Sequence, residues 1–393
     1  MRVLYLHSGN IYGGVEALLT TLARQRDLCP TMESHYALCF EGRLSEDLTA
    51  AGATVHLLGK ARIRQPLSIV RARRLLSELL RHGHFDLAVC HSSWSQSLFG
   101  PVVRSAHLPL VVWLHSQTNG RHWLERWAHR TAPDMVLCNS EFTAATAANF
   151  FSRVRTEVLY SPVAETNGRY SNGGRTTTRV ELQTPENAVV IIQASRMEAW
   201  KGHAMHLEAL GMLKDLPGWV CWQVGGAQRA SEIQYLSGLK KKAAQLGIAE
   251  RVHFLGQRSD VEKLFTAADI YCQPNSGAEP FGLTFIEALA ARLPVVTTAM
   301  GGALEIVNEA CGLLVPPDDA IALAGALRRL ILDCTLRETI GSAGPARARE
   351  LCDAKTQMQR LYECFAGVSR RRPENADAGR LGEDSSRRKQ QCT

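Results

Sequence analysis

The 393 residues are enough for two or three domains, each large enough to bury its own core. A formal net charge of +7 favours anionic ligands or surfaces without pointing to nucleic acid. Eleven cysteines with no CxxC and no Cys/His cluster read as reduced thiols, which argues against a disulfide framework and against zinc.

The N-terminus, MRVLYLHSGNIYGG, has too short an apolar run for a signal peptide or a spanning helix, and no later stretch approaches the roughly twenty apolar residues a span needs. A cytoplasmic protein is expected, at most seated on a membrane surface. Residues 3–6 read as a buried first strand, followed by a glycine-rich turn (Gly9, Gly13, Gly14) and an apolar-periodic helix over 15–24. Glu16 on that helix reads as structural. Further strands are expected at 35–40, 54–57, 86–90, 110–114, 135–138 and 157–159, with helical patterns between most of them. Such alternation predicts a parallel sheet covered on both faces, with ligand sites at the carboxyl ends of its strands. Within this half, 60–83 is basic with apolar residues at helical spacing. It reads as a surface helix whose leucines pack inward; the competing reading is a contact with anionic lipid or a phosphate-bearing acceptor.

From 164 to 187 the composition turns polar and rich in Gly, Thr and Asn, which predicts a linker. A second alternating series then gives strands at 188–193, 220–224, 252–255, 270–273 and 295–298, with helices at 203–213, 231–245, 260–268 and 281–291. Ser259 to Glu262 reads as a capping box. Two doubly wound α/β halves facing across a cleft are expected: a first domain over 1–163, the linker, a second domain over 188–350, a C-terminal helix over 351–368 packing back on the first domain, and a disordered tail over 369–393.

The stretch 278–305 carries the most chemistry. It gives Glu279, then Pro280-Phe281-Gly282, a helix bearing Glu287, Pro294-Val295-Val296, and Gly301-Gly302 ahead of Glu305. A helix start combining proline with glycine exposes unpaired N–H groups at a positive dipole end, which makes an anion seat. Glu287 lies eight positions after Glu279, roughly 12 Å along a helix axis, so the two acids are expected to hold two parts of one long ligand.

These motifs resemble the retaining nucleotide-sugar glycosyltransferases of family 4, which have the GT-B architecture of two Rossmann-like domains. Glu279 to Glu287 matches the family's Glu-x7-Glu element, and Ser195-Arg196-Met-Glu-Ala-Trp-Lys201-Gly202 matches its diphosphate-clamping segment. The resemblance implies that Glu279 sits against the donor sugar and Glu287 binds ribose hydroxyls. It also implies that the amides of Phe281, Gly282 and Leu283 meet the diphosphate or sugar, and that Arg196 and Lys201 stabilise the departing diphosphate in place of a metal ion. Gly13 and Gly14 match the loop under the donor, His115 matches a histidine approaching its sugar, and His91 faces the same cleft. The expected activity is transfer of a sugar from a nucleotide-sugar donor to an acceptor hydroxyl with retention, with no cofactor and no metal. The competing readings are a nucleotide-sugar epimerase on the same scaffold and a donor-binding protein without turnover. A dinucleotide oxidoreductase fails on spacing, because Gly9-x-x-x-Gly13-Gly14 is not GxGxxG.

Overall fold

A computed structural model describes residues 1–9, 11–148, 150–163 and 172–370. The first domain is built on strands β1 (Arg2–His7), β2 (Glu33–Leu38), β3 (Thr54–Leu57), β4 (Leu87–His91), β5 (Leu110–Leu114), β6 (Met135–Cys138) and β7 (Arg155–Val158). They form one parallel sheet in the order β3-β2-β1-β4-β5-β6-β7. Runs such as Val3 to Leu6 and Leu87 to Cys90 are wholly buried because helices cover both faces of the sheet. The second domain holds β8 (Val189–Ala194), β9 (Trp219–Val224), β10 (Val252–Gly256), β11 (Ile270–Gln273), β12 (Val295–Thr298) and β13 (Gly312–Val315), also parallel, in the order β10-β9-β8-β11-β12-β13.

Strand order reverses between β1 and β4 in one sheet and between β8 and β11 in the other. Chain leaving the carboxyl ends at these two reversals opens a crevice on each sheet. Loops from both crevices line a single cleft of about 760 Å³.

Three features depart from the sequence expectation. Within the expected linker, residues 164–171 lie outside the described residues, but Asn172–Glu181 forms a helix of the second domain. Its composition is poor for a helix, and a buried arginine overrides it. Arg179 donates to the carbonyls of Ala267, Glu186 and Ala188 and pairs with Asp269 at 2.7 Å, while Arg175 takes the other Asp269 oxygen at 2.6 Å. β13 was not expected from the sequence. Its Gly312 lies so close to the Val295 carbonyl that a Cβ would collide with it, and the strand is short. The capping box at Ser259 is absent: Asp260 stands at the N-cap without a side-chain cap bond, and its carboxylate is taken by Arg258 at 2.7 and 2.8 Å.

The last helix, Ala354–Ser369, lies on the first domain, with Met358, Leu361 and Phe365 buried beside Tyr5 and Trp113. Val163 and Asp353 form a parallel bridge, so the two crossings between domains run side by side. From residue 371 onward the expected tail lies outside the described residues.

Candidate active site

Glu279 is the centre of the second domain's wall. It does not lie on the helix with Glu287, as the 12 Å spacing supposed. That helix runs Leu283–Ala290, with Gly282 at its N-cap (φ +104°), while Glu279 is held extended by a bridge to Gly301. The Gly302 amide donates to the Glu279 carbonyl at 2.7 Å, and a Cβ at Gly301 would sit 2.5 Å from that carbonyl oxygen. The glycine pair is therefore what lets the chain run against Glu279.

Three donors converge on one oxygen of the buried Glu279 carboxylate. Oε2 accepts from Lys201 Nζ at 2.6 Å, Asn275 Nδ2 at 3.1 Å and Gln273 Nε2 at 3.2 Å. Among the described residues no donor reaches Oε1, so the group is fixed in place with one oxygen to offer. Gln273 and Asn275 belong to no motif; what marks them is their position at and just after the carboxyl end of β11.

Lys201 and Arg196 both line the cleft, each already paired with carboxylate. Lys201 lies over the Trp200 ring at 4.0 Å, and its carbonyl accepts from Gln193 at 2.8 Å. Gly202, which follows, has φ +77°, and a Cβ there would run into the Pro274 carbonyl. Arg196 Nη2 is 2.9 Å from Glu232 and 3.0 Å from Glu198, while its buried Nε has no partner. Burial opposes ionisation of Glu232, yet the Gln228 amide and the Arg196 guanidinium hold its carboxyl below the ordinary value.

At the helix start, the amides of Phe281, Gly282 and Leu283 donate to nothing among the described residues. The Phe281 side chain is buried and stacked on Tyr160 at 5.4 Å. Glu287 stands on the cleft wall one turn into the helix. Burial, with the charge of Glu262 beside it, pushes its carboxyl up to about 7.

The opposite wall comes from the first domain. Gly13 caps the helix Gly14–Arg24, and its amide donates to Glu16, whose other oxygen accepts from His7 at 2.8 Å. Glu16 is thus structural. A Cβ on Gly14 would lie 3.7 Å from Leu283 of the other domain, so a larger side chain there would narrow the cleft. His115 follows β5 and lines the cleft, its Nε2 2.9 Å from Nδ1 of His91. His91 is itself fully buried and does not reach the cleft surface.

Glu305 has a role that its place in the motif did not reveal. Its carboxylate accepts from the amides of Glu141 and Phe142 at 2.9 and 2.7 Å and from the Tyr160 hydroxyl at 3.0 Å. These amides open the helix Glu141–Ala147 of the first domain, whose N-cap Ser140 donates to the Pro280 carbonyl at 2.5 Å. The motif thus ties the domains together beside the site. Among the described residues no group of three or more His, Cys, Asp or Glu side chains could hold a metal ion, and no helix is long and apolar enough to cross a membrane.

A family model described as glycosyl transferases group 1 matches residues 174–347, and one described as glycosyltransferase family 4 matches residues 12–166. The first match begins within the Asn172–Glu181 helix, in line with that helix being part of the second domain. The phosphatidyl-myo-inositol mannosyltransferase of Mycobacterium leprae is 29% identical over 314 residues, 75% of this chain and 77% of that protein. The alpha-1,3/1,6-mannosyltransferase of Homo sapiens is 28% identical over 256 residues, 61% of this chain and 60% of that protein. Anabaena HepE, solved in complex with UDP and glucose, superposes with a TM-score of 0.82 at 25% identity, over 94% of this chain and 100% of that one. With both models matched in sequence, covering one domain each, and two parallel-sheet domains meeting at one cleft, the chain is a glycosyltransferase of GT-B architecture and belongs to glycosyltransferase family 4.

Proposed function

We propose that the protein transfers a glycosyl unit from a nucleotide-sugar to an acceptor hydroxyl, with retention at the anomeric carbon and without a metal ion. The observation that carries this reading is the row of unpaired amides at Phe281, Gly282 and Leu283 beside the Lys201–Glu279 pair. An anion and a hydroxyl of one ligand can be met there together. HepE has been solved with UDP-glucose, which supports a donor of this class.

In this reading Arg196 and Lys201 face the diphosphate, Glu279 Oε1 and the Gly282 amide position the sugar, and Glu287 accepts from the ribose. Lys201 neutralises Glu279 in the empty cleft and shares its charge with the diphosphate when the donor enters. Among the described residues, every carboxylate lining the cleft comes from the second domain: Glu198, Glu262, Glu279 and Glu287. With no acid among the described residues of the facing wall to act as a nucleophile, we favour front-face displacement. The acceptor oxygen bonds to the anomeric carbon as the bond to the phosphate oxygen breaks, and the acceptor's proton passes to that oxygen.

The acceptor is read as a hydroxyl of a glycan, a small molecule or a lipid-linked molecule reached at an anionic membrane surface. The helix Pro66–Gly83 supports the last of these: Ile63 just before it, and Leu67 (84% exposed) and Val70 within it, stand out among exposed Arg64, Arg71 and Arg74. Arg73 is not part of this face, because its guanidinium donates to the Leu98 and Ser97 carbonyls.

A panel of nucleotide-sugars tests the donor role, since a bound donor raises the melting temperature by mass action. The anomeric configuration of the product, read by NMR, tests retention. A trapped covalent glycosyl-enzyme would overturn the front-face path.

A further inference from the structure

The cleft-facing imidazole of His115 is backed by a second, fully buried imidazole. His91 ends β4 and pairs with Trp113 across the sheet, so its ring lies on the same face as Tyr5, Trp113 and His115. The His91 and His115 rings are stacked, with centroids 5.1 Å apart and planes 8° apart, and Nδ1 of the first is 2.9 Å from Nε2 of the second. His91 Nε2 is buried with no partner, and the Trp113 indole N–H beside it is also a buried donor with no acceptor.

We propose that His91 is a positioning residue that donates from Nδ1 to His115 Nε2, and so fixes His115 as the tautomer carrying its proton on Nδ1, the nitrogen left for the cleft.

Two arrangements of a neutral pair are possible. If His115 donated to His91, the His91 proton would sit on Nε2, an N–H buried where nothing can accept it, beside an indole N–H in the same condition. If His91 donates, its Nε2 keeps a bare lone pair and the pocket holds no further orphaned donor. Both rings stay neutral because burial lowers their basicity, His115 to about 3 and His91 well below its ordinary value, with the nearby His7 adding to the effect.

The consequence is chemical. His115 meets the ligand as a hydrogen-bond donor, able to hold a sugar oxygen, and has no lone pair free to take the acceptor's proton. This deepens the transferase reading, since it leaves the departing phosphate as the proton's destination, and its functional part rests on that reading. The tautomer itself does not.

The test is long-range 1H–15N correlation on protein labelled with [15N]histidine, with His115 assigned by its loss in His115→Asn. The wild type is expected to show His115 protonated on Nδ1 alone. His91→Phe keeps the ring packing and removes the nitrogen, and should give a His115 signal protonated on Nε2. His91→Asn returns an amide N–H near the Nδ1 position and should restore the wild-type tautomer. In transfer assays, kcat/KM for the donor should fall about 10–100-fold in His91→Phe and recover most of that loss in His91→Asn. A wild-type His115 protonated on Nε2, or a His91→Phe spectrum unchanged at His115, overturns the proposal. If His91→Phe does not fold, the wild-type spectrum still decides the tautomer. The spectra need no substrate, so they fail or succeed independently of the transferase assignment.

Discussion

Glu287 couples the proposed ribose contact to pH. Its carboxyl is pushed from an ordinary 4.5 up to about 7 in the folded protein. Between those values the folded state therefore binds more protons than the unfolded one. The resulting contribution to stability is full below the lower value and is lost as pH rises through the upper one. The melting temperature of the empty wild type should thus fall more between about pH 5 and pH 8 than that of Glu287→Gln, and parallel curves would contradict the assigned shift. A carboxylate accepts ribose hydroxyls best when ionised, so donor affinity should tighten as pH rises through about 7 in the wild type and stay flat in Glu287→Gln. Binding isotherms over the same range check this. Lys201 and Glu279 belong to the same scale: from the sequence they serve different parts of the donor, but at 2.6 Å they form one pair.

At the scale of elements, the helix Asn172–Glu181 exists through Arg179 more than through its own sequence. Replacing Arg179 with Met strips the carbonyls of Ala267, Glu186 and Ala188 of this donor and leaves Asp269 with Arg175 and the Val190 amide. The expected loss is about 3–5 kcal/mol in denaturant unfolding, with reduced helical signal, and a loss below about 1 kcal/mol would contradict the account. This helix also marks where the sequence stopped being legible. Glycines, threonines and asparagines predict a linker, and the single arginine that reverses the prediction is anchored on the distant Ala267 carbonyl and Asp269 carboxylate, which no local pattern encodes. The strands were legible because burial on both faces demands continuous apolar runs, as in Val3 to Leu6. β13 was not, since four residues beside Pro316 and Pro317 carry too little pattern. Glu279, Gly282, Glu287, Arg196 and Lys201, which motif spacing singles out, all line one cleft. Their supporting partners Gln273 and Asn275, and the position of Glu279 ahead of the helix, required the fold. The helix Pro66–Gly83 carries its own prediction: Arg64, Arg71 and Arg74 changed together to Glu should abolish sedimentation with phosphatidylglycerol vesicles. Undiminished sedimentation would remove the membrane reading.

At the scale of the molecule, the domains are joined at the back of the cleft by Glu305, which caps a helix of the opposite domain. Glu305→Ala removes the acceptor for the Glu141 and Phe142 amides and for Tyr160. Those two amides should exchange with deuterium faster while the amides of β6 keep their protection; equal exchange would show that the tie does not hold in solution. A looser tie should also raise KM for the donor if, as proposed, the donor is held between the two walls. The proposed transfer of a sugar from a nucleotide donor through the Glu279 cluster is tested most directly by comparing acceptor-dependent release of nucleoside diphosphate from wild type and Glu279→Gln. Release is expected only when donor and acceptor are both present, with a fall of about 100-fold or more in kcat for Glu279→Gln while nucleoside diphosphate affinity stays within about tenfold. Release by Glu279→Gln at the wild-type rate would contradict it.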